Sequence, residues 1–211
     1  MIHCLGDSHA SVFTGTDTLI AYPFPNVNEA MLPYFTAYKL TGYATTAYNL
    51  YDKKPIIDSI VEKHIDKKND YLMFCFGETD CRSHIVKHGK GDIPHTVGVA
   101  VKRYFDCISL YAKKGYRIIV FGPIAPSYIT KDGDDYYKTA GSYEERLLAT
   151  RVFNSLVEGY CLSKSYIFFT IVNEMLDEDG KTKLSMLKDE IHLNQTAMPI
   201  ILEKLKRIEV L

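Results

Sequence analysis

Ser8 stands in the stretch LGDSHAS, and Asp189 and His192 stand in KDEIHLN near the other end of the 211-residue chain. A serine hydroxyl becomes a nucleophile when an imidazole takes its proton and a third group holds that imidazole in place. The spacing of Asp189 and His192 lets a carboxylate bond one ring nitrogen while the other nitrogen faces the serine. Each piece also has a plainer reading. Asp7 or Ser8 can simply cap a helix. An isolated D-x-x-H is more often a surface loop with an incidental histidine. A third polar cluster, GETDCRSH, contains Glu78, Thr79, Asp80 and Arg82. Its guanidinium can bind an anionic or glycosyl group, or the cluster can close its own loop as a local salt bridge.

For these residues to meet, the chain must return each of them to one edge of a sheet. Apolar runs rich in β-branched and aromatic residues recur at MIHCL, YLMFCFG, RIIVFGP and YIFFTIV. They do not alternate, which predicts strands buried on both faces, as in a parallel sheet. YFTAYKL is a further strand candidate in the otherwise hard-to-read region 11–50. Helical spacing lies between the strands. Ile57, Ile60, Val61 and Ile65 share one face, as do Val97, Val101, Phe105 and Ile108 before Gly115. Ser142 and Glu145 have the capping-box spacing. The last helix carries Ala197, Ile201, Leu205 and Ile208, with Pro199 tolerable only in its first turn. Strand and helix alternate, so one α/β domain over residues 1–211 is expected, three-layered around a parallel sheet. Ligands of such sheets bind beyond the carboxyl ends of the strands. Ser8 then sits where the first strand ends and a helix begins, beside N–H groups suited to an oxyanion.

Composition excludes several classes of function. The chain is 46% hydrophobic and 24% charged with a net charge of −1, which gives no electrostatic case for nucleic acid. No apolar run is long enough to cross a bilayer. The first residues lack the basic and apolar regions of a secretory signal. Five scattered cysteines suit a reducing compartment, so a cytoplasmic protein is expected.

GDS near the start and D-x-x-H near the end resemble the first and last blocks of the SGNH, or GDSL, hydrolases. The resemblance spans nearly the whole chain. It implies a flavodoxin-like α/β/α sandwich in which a serine attacks an ester carbonyl, without a cofactor or metal. Ser8 is then the nucleophile, His192 the general base and Asp189 its orienter, with Asp7 structural. Members include carbohydrate acetylesterases, lipases, thioesterases, arylesterases and some acyltransferases. The second block implies Gly42 as an oxyanion donor, with an ordinary turn glycine a close second reading. The third block is normally G-x-N-D, and here Thr79 occupies the asparagine position. Losing one such donor costs about two to three powers of ten in rate. Thr79, Arg82 or Asn49 are the candidates to replace it, the first two preferred. The G-E-x-D-C-R block is similar to a branch of the family linked to glycan assembly.

Other readings compete. Cys81, His84 and His88, with His95 nearby, have a metal-like spacing but no evident fourth ligand, so no metal is expected. His9 is adjacent to Ser8 and is expected to line or pack beside the pocket rather than serve as its base. Tyr34, Tyr38 and Tyr43 are read as core packing before a sugar-binding wall. Residues 123–142 form the longest aperiodic segment and are either a loop shaping the pocket or a plain connection. The expected partner is a small-molecule or glycan ester, with neither membrane nor nucleic acid. An O-acyltransferase and a non-catalytic glycan-binding module remain the alternatives to a serine esterase.

Overall fold

The apolar runs form five parallel strands, β1 (Ile2–Gly6), β2 (Phe35–Lys39), β3 (Tyr71–Cys75), β4 (Arg117–Phe121) and β5 (Ile167–Phe169). The computed structural model describes residues 1–16, 21–22, 34–40, 45–89, 91–130 and 138–211. Across the sheet the order is β2-β1-β3-β4-β5, the flavodoxin-like doubly wound arrangement. YFTAYKL is indeed a strand, paired with β1 from Ile2 opposite Phe35 to Gly6 opposite Lys39. The chain steps from β1 outward to β2, then returns to the other side of β1 for β3. That reversal opens a crevice at the carboxyl ends of β1 and β3.

Both faces of the sheet are covered, which explains the unalternating runs. Leu5, Leu72, Phe74, Ile118 and Val120 point to one face. There they meet α1 (Lys54–His64), the later helix Ile93–Lys113 and the helix Tyr143–Lys164. Cys4, Met73, Cys75, Ile119 and Phe121 point to the other face. They pack on Ala10, Val12 and Phe13 of a short 3-10 helix, Ser8–Thr14, and on the last helix, Met198–Arg207. With the short helices Ile85–Gly89 and Val172–Met175 between them, the α-helices after α1 run in chain order as α2 (Ile85–Gly89), α3 (Ile93–Lys113), α4 (Tyr143–Lys164), α5 (Val172–Met175) and α6 (Met198–Arg207). The capping box of Ser142 and Glu145 is formed at α4, and Pro199 lies in the first turn of α6. Ile208 departs from the expected stripe: it lies just past α6 and is 39% exposed. Tyr38 is core, Tyr34 is half-buried, and Tyr43 lies outside the described residues. All five cysteines are free and buried. Among the described residues, no helix is long and apolar enough to cross a membrane.

The sequence pattern gave no sign of Arg146. Its position on α4 reads as a solvated charge, yet it is 1% exposed. Its guanidinium donates to the carbonyls of Gly141, at 2.7 Å, and Ser127, at 2.9 Å. It thereby fastens the segment after β4 to the start of α4. Residues 131–137 of that segment lie outside the described residues. Arg146→Ala leaves the buried Ser127 carbonyl without this charge-assisted donor and should cost about 3 kcal/mol. For a chain of this size the melting temperature should fall by roughly 10 °C. A thermal melt within about 2 °C of the parent would show that the clamp contributes little.

Candidate active site

β1 ends at Gly6, where a side chain would collide: a Cβ there would lie 2.5 Å from the Cβ of Ala10. This close approach lets the chain turn at once from the strand into the 3-10 helix. Asp7, in extended conformation, caps that helix by accepting from the His9 N–H at 2.8 Å. The capping role and the placement of Ser8 are therefore compatible, because Asp7 caps while Ser8 opens the first turn. The helix is of 3-10 type and seven residues long. Its end carries little aligned dipole, so any stabilisation of an anion falls to individual N–H groups.

The other half of the site comes from a loop after β5. Leu187 and Leu193 form an antiparallel bridge, and Lys188 N–H donates to the carbonyl of His192 at 3.0 Å. Within this tight loop the Asp189 Oδ1 accepts from the backbone N–H groups of Ile191, at 2.9 Å, and His192, at 2.7 Å. Asp189 Oδ2 lies 2.8 Å from His192 Nδ1, and His192 Nε2 lies 2.8 Å from Ser8 Oγ. Two residues beyond the motif complete the placement, and their types alone did not single them out. Asn194 caps the next turn through Thr196 N–H and donates to the carbonyls of Ser185 and Leu187. Gln195 donates to the carbonyl of Val12 at 3.2 Å, tying the histidine loop to the helix that begins at Ser8.

The charges around these groups define their protonation. Burial, with the charge of His9 beside it, pushes His192 down to about 4 despite Asp189. At neutral pH the ring is uncharged, its Nδ1–H given to Asp189 and its Nε2 lone pair facing the Ser8 hydroxyl. Burial alone would raise the Asp189 carboxyl, but the His192 ring and the two backbone N–H groups hold it low. The arrangement can move a proton from Ser8 Oγ to His192 Nε2 and stabilise the resulting imidazolium.

The polar cluster after β3 forms a second layer. Arg82 Nε donates to Glu78 Oε1 at 2.7 Å, so of the two readings for this cluster the structure shows the ion pair. Glu78 Oε2 lies 2.8 Å from His9 Nε2. The His9 ring lies against the His192 ring, with centroids 4.7 Å apart. Burial would raise Glu78, but the His9 and Arg82 charges draw it down to about 2. Asp80 accepts from the N–H groups of Ala47, at 2.8 Å, and Tyr48, at 3.1 Å, joining the segment after β2 to the turn after β3. Its burial outweighs those bonds and raises it to about 6.

The four oxyanion candidates differ in position. Thr79 is buried just before the helical turn Asp80–His84. Asn49 is used locally, its side-chain oxygen accepting from Thr46 N–H at 2.8 Å. Arg82 is engaged by Glu78, and Gly42 lies outside the described residues. A cavity of about 460 Å³ is lined by Thr46, Tyr48, Asn49, Asp80, His84 and His88 among others, and none of Ser8, Asp189 and His192 lies in its wall. His84 and His88 stack there with centroids 6.3 Å apart, whereas Cys81 is buried in the core. The described residues contain no group of three His, Cys, Asp or Glu side chains arranged to hold a metal.

No protein-family model and no curated protein matches the sequence. Solved structures do resemble the fold. A GDSL-like lipase from Bacteroides thetaiotaomicron VPI-5482 superposes with a TM-score of 0.61 at 13% identity, covering 98% of this chain and 86% of the other. The acetyl xylan esterase AlAXEase gives 0.55 at 13% identity, covering 99% of each chain. Phospholipase A1 from Streptomyces albidoflavus NA297 gives 0.52 at 14% identity, covering 96% of this chain and 98% of the other. At such identities the likeness establishes the fold, an α/β sandwich shared with esterases and lipases.

Proposed function

We propose that the chain is a serine ester hydrolase of the SGNH type, working through an acyl-serine intermediate. The observation that carries this reading is the continuous path from Ser8 Oγ through His192 to Asp189, joining residues from opposite ends of the chain. In acylation, His192 Nε2 takes the Ser8 proton as Oγ bonds the acyl carbon. The C–O bond to the alcohol then breaks, and His192 returns its proton to the leaving oxygen. Water repeats the sequence to release the acid. The Ser8 and Gly42 N–H groups are assigned to the oxyanion, with Thr79 as the side-chain donor. Arg82 is the weaker candidate because Glu78 already engages it.

For the substrate we favour a small acyl group, acetyl above all, on a carbohydrate. The fold is shared with an acetyl xylan esterase, which supports a small acyl group on a sugar. Five reduced cysteines fit a cytoplasmic setting.

A fluorophosphonate probe tests the reading. It should add once to the intact protein, at Ser8, and fail to add to His192→Ala. Absence of any adduct by mass spectrometry after prolonged exposure would sink the esterase assignment. The pH profile gives a second check. The base must be neutral, so kcat/KM should rise with pH through about 4, where His192 loses its proton. A half-rise near the ordinary histidine value, about 6.5, would mean that another group limits the reaction.

A further inference from the structure

We propose that the outer face of α4 is a self-association surface, on which a second copy of this chain docks its own α4 in antiparallel orientation. The inference does not depend on the esterase reading. Leu148, Val152, Ser155, Gly159 and Leu162 recur along α4 at steps of four, three, four and three residues. That is the heptad spacing of a helix that lies along another. The inner face of the same helix is already used, with Ala149, Phe153, Val157 and Cys161 buried in the core. The stripe faces away from it: Leu148 is 46% and Leu162 82% exposed, Ser155 and Gly159 are exposed, and Val152 is half-buried. Exposed apolar residues in such a row mark a contact surface. Gly159 is a second, independent observation. A glycine inside a helix weakens it relative to alanine, and the packing of this chain does not require it, because a Cβ there would meet no surrounding atom within 4 Å. With Ser155 one turn earlier, it leaves a shallow depression in which another helix can approach closely.

Charge selects the occupant and its direction. Arg151 and Glu158, both exposed, precede Val152 and Gly159 by one residue and so share one flank of the stripe, two turns apart. Nearby Lys204 and Arg207 have partners of their own in Glu174 and Glu203, and among the described residues no ion pair within the chain engages Arg151 or Glu158. A two-fold axis between residues 154 and 155 sets Arg151 of one copy opposite Glu158 of the partner subunit, and by symmetry forms the pair twice. The same axis seats Val152 between Ser155 of the partner subunit and Gly159 of the partner subunit, the knob-into-hole arrangement that the small residues allow. In a parallel pairing the flanks are exchanged, and Arg151 would face Leu156 of the partner subunit instead. The 22 residues of α4 make a helix about 33 Å long, and a strip about 10 Å wide along it covers roughly 330 Å² per copy. That is under half of the roughly 800 Å² per partner in a standard interface, so the dimer is weak and forms with concentration.

Analytical ultracentrifugation of the full chain tests the surface. Between about 5 μM and about 1 mM the average mass should rise from that of one chain toward that of two. Leu162→Glu, where little packing within the chain is at stake, should raise the dissociation constant about tenfold or more. Leu148→Glu should do the same from the other end of the stripe. Arg151→Glu sets two acidic groups against each other at both pairs and should weaken the dimer about tenfold, as should Glu158→Arg. Combining Arg151→Glu with Glu158→Arg restores both pairs with their signs reversed, and this double variant should bind within about threefold of the parent. Circular dichroism checks that each variant is folded. A parent that stays monomeric throughout the range overturns the inference. So does a dimer that Leu148→Glu and Leu162→Glu leave intact, or a loss by single charge reversal that the double variant does not rescue.

Discussion

Ser8→Ala should lower kcat on an acetyl ester by about a million-fold, with KM little changed. In the proposed mechanism the hydroxyl oxygen receives the acyl group, so its loss removes the acceptor. His9 stands next in sequence, but its Nε2 is engaged by Glu78. His192→Ala should cost about as much, because an unactivated serine is a poor nucleophile at neutral pH. The double variant should be no slower than either single one, since the two residues act as one unit. The measurement is kcat for all three proteins after contaminating esterase is blocked with fluorophosphonate, which none of the variants takes up. If Ser8→Ala keeps more than about a tenth of the parent rate, the covalent route is wrong.

Asp189→Asn should cost up to about 10⁴-fold in kcat while leaving the loop folded. Asparagine keeps an oxygen to accept from the N–H groups of Ile191 and His192, so the backbone of the loop is held as before. Its amide N–H then faces His192 Nδ1, which must become an acceptor. The ring proton moves to Nε2 and points at Ser8, so the base presents a donor where a lone pair is needed. Asp189 is partly exposed, and water can relieve some of this mismatch, which makes the quoted loss an upper figure. Circular dichroism and melting should match the parent. A variant that stays within about tenfold would show that some other group orients His192.

Much of the site could be read from residue types. GDS after an apolar run and D-x-x-H before an amphipathic helix are local patterns, and local backbone geometry follows from them. Asp7 caps its turn, and Asp189 bonds the N–H groups two and three residues ahead, because short polar side chains reach their own backbone. The ion pair of Glu78 and Arg82 is an i, i+4 contact of the same local kind. Arg146 was not legible. A charge becomes buried only when distant carbonyls converge on it, and those of Ser127 and Gly141 are brought there by the path of the chain after β4. Nor did residue type reveal Gln195, whose amide crosses to the carbonyl of Val12 near the opposite end of the sequence.

The sequence by itself determined the apolar strands, the four long helices and a parallel sheet covered on both faces, since hydrophobic spacing dictates which residues must leave water and at what period. It also determined which side chains had the chemistry to attack, to accept a proton and to orient. Only the tertiary structure decided that Ser8 and His192 meet, because contact between opposite ends of a chain depends on where the β1–β3 crevice opens and how the last loop packs across it. It alone placed His9 against His192 and backed it with Glu78. Proton affinities depend on distances between charges and on exclusion of water, and neither quantity exists until the chain is folded.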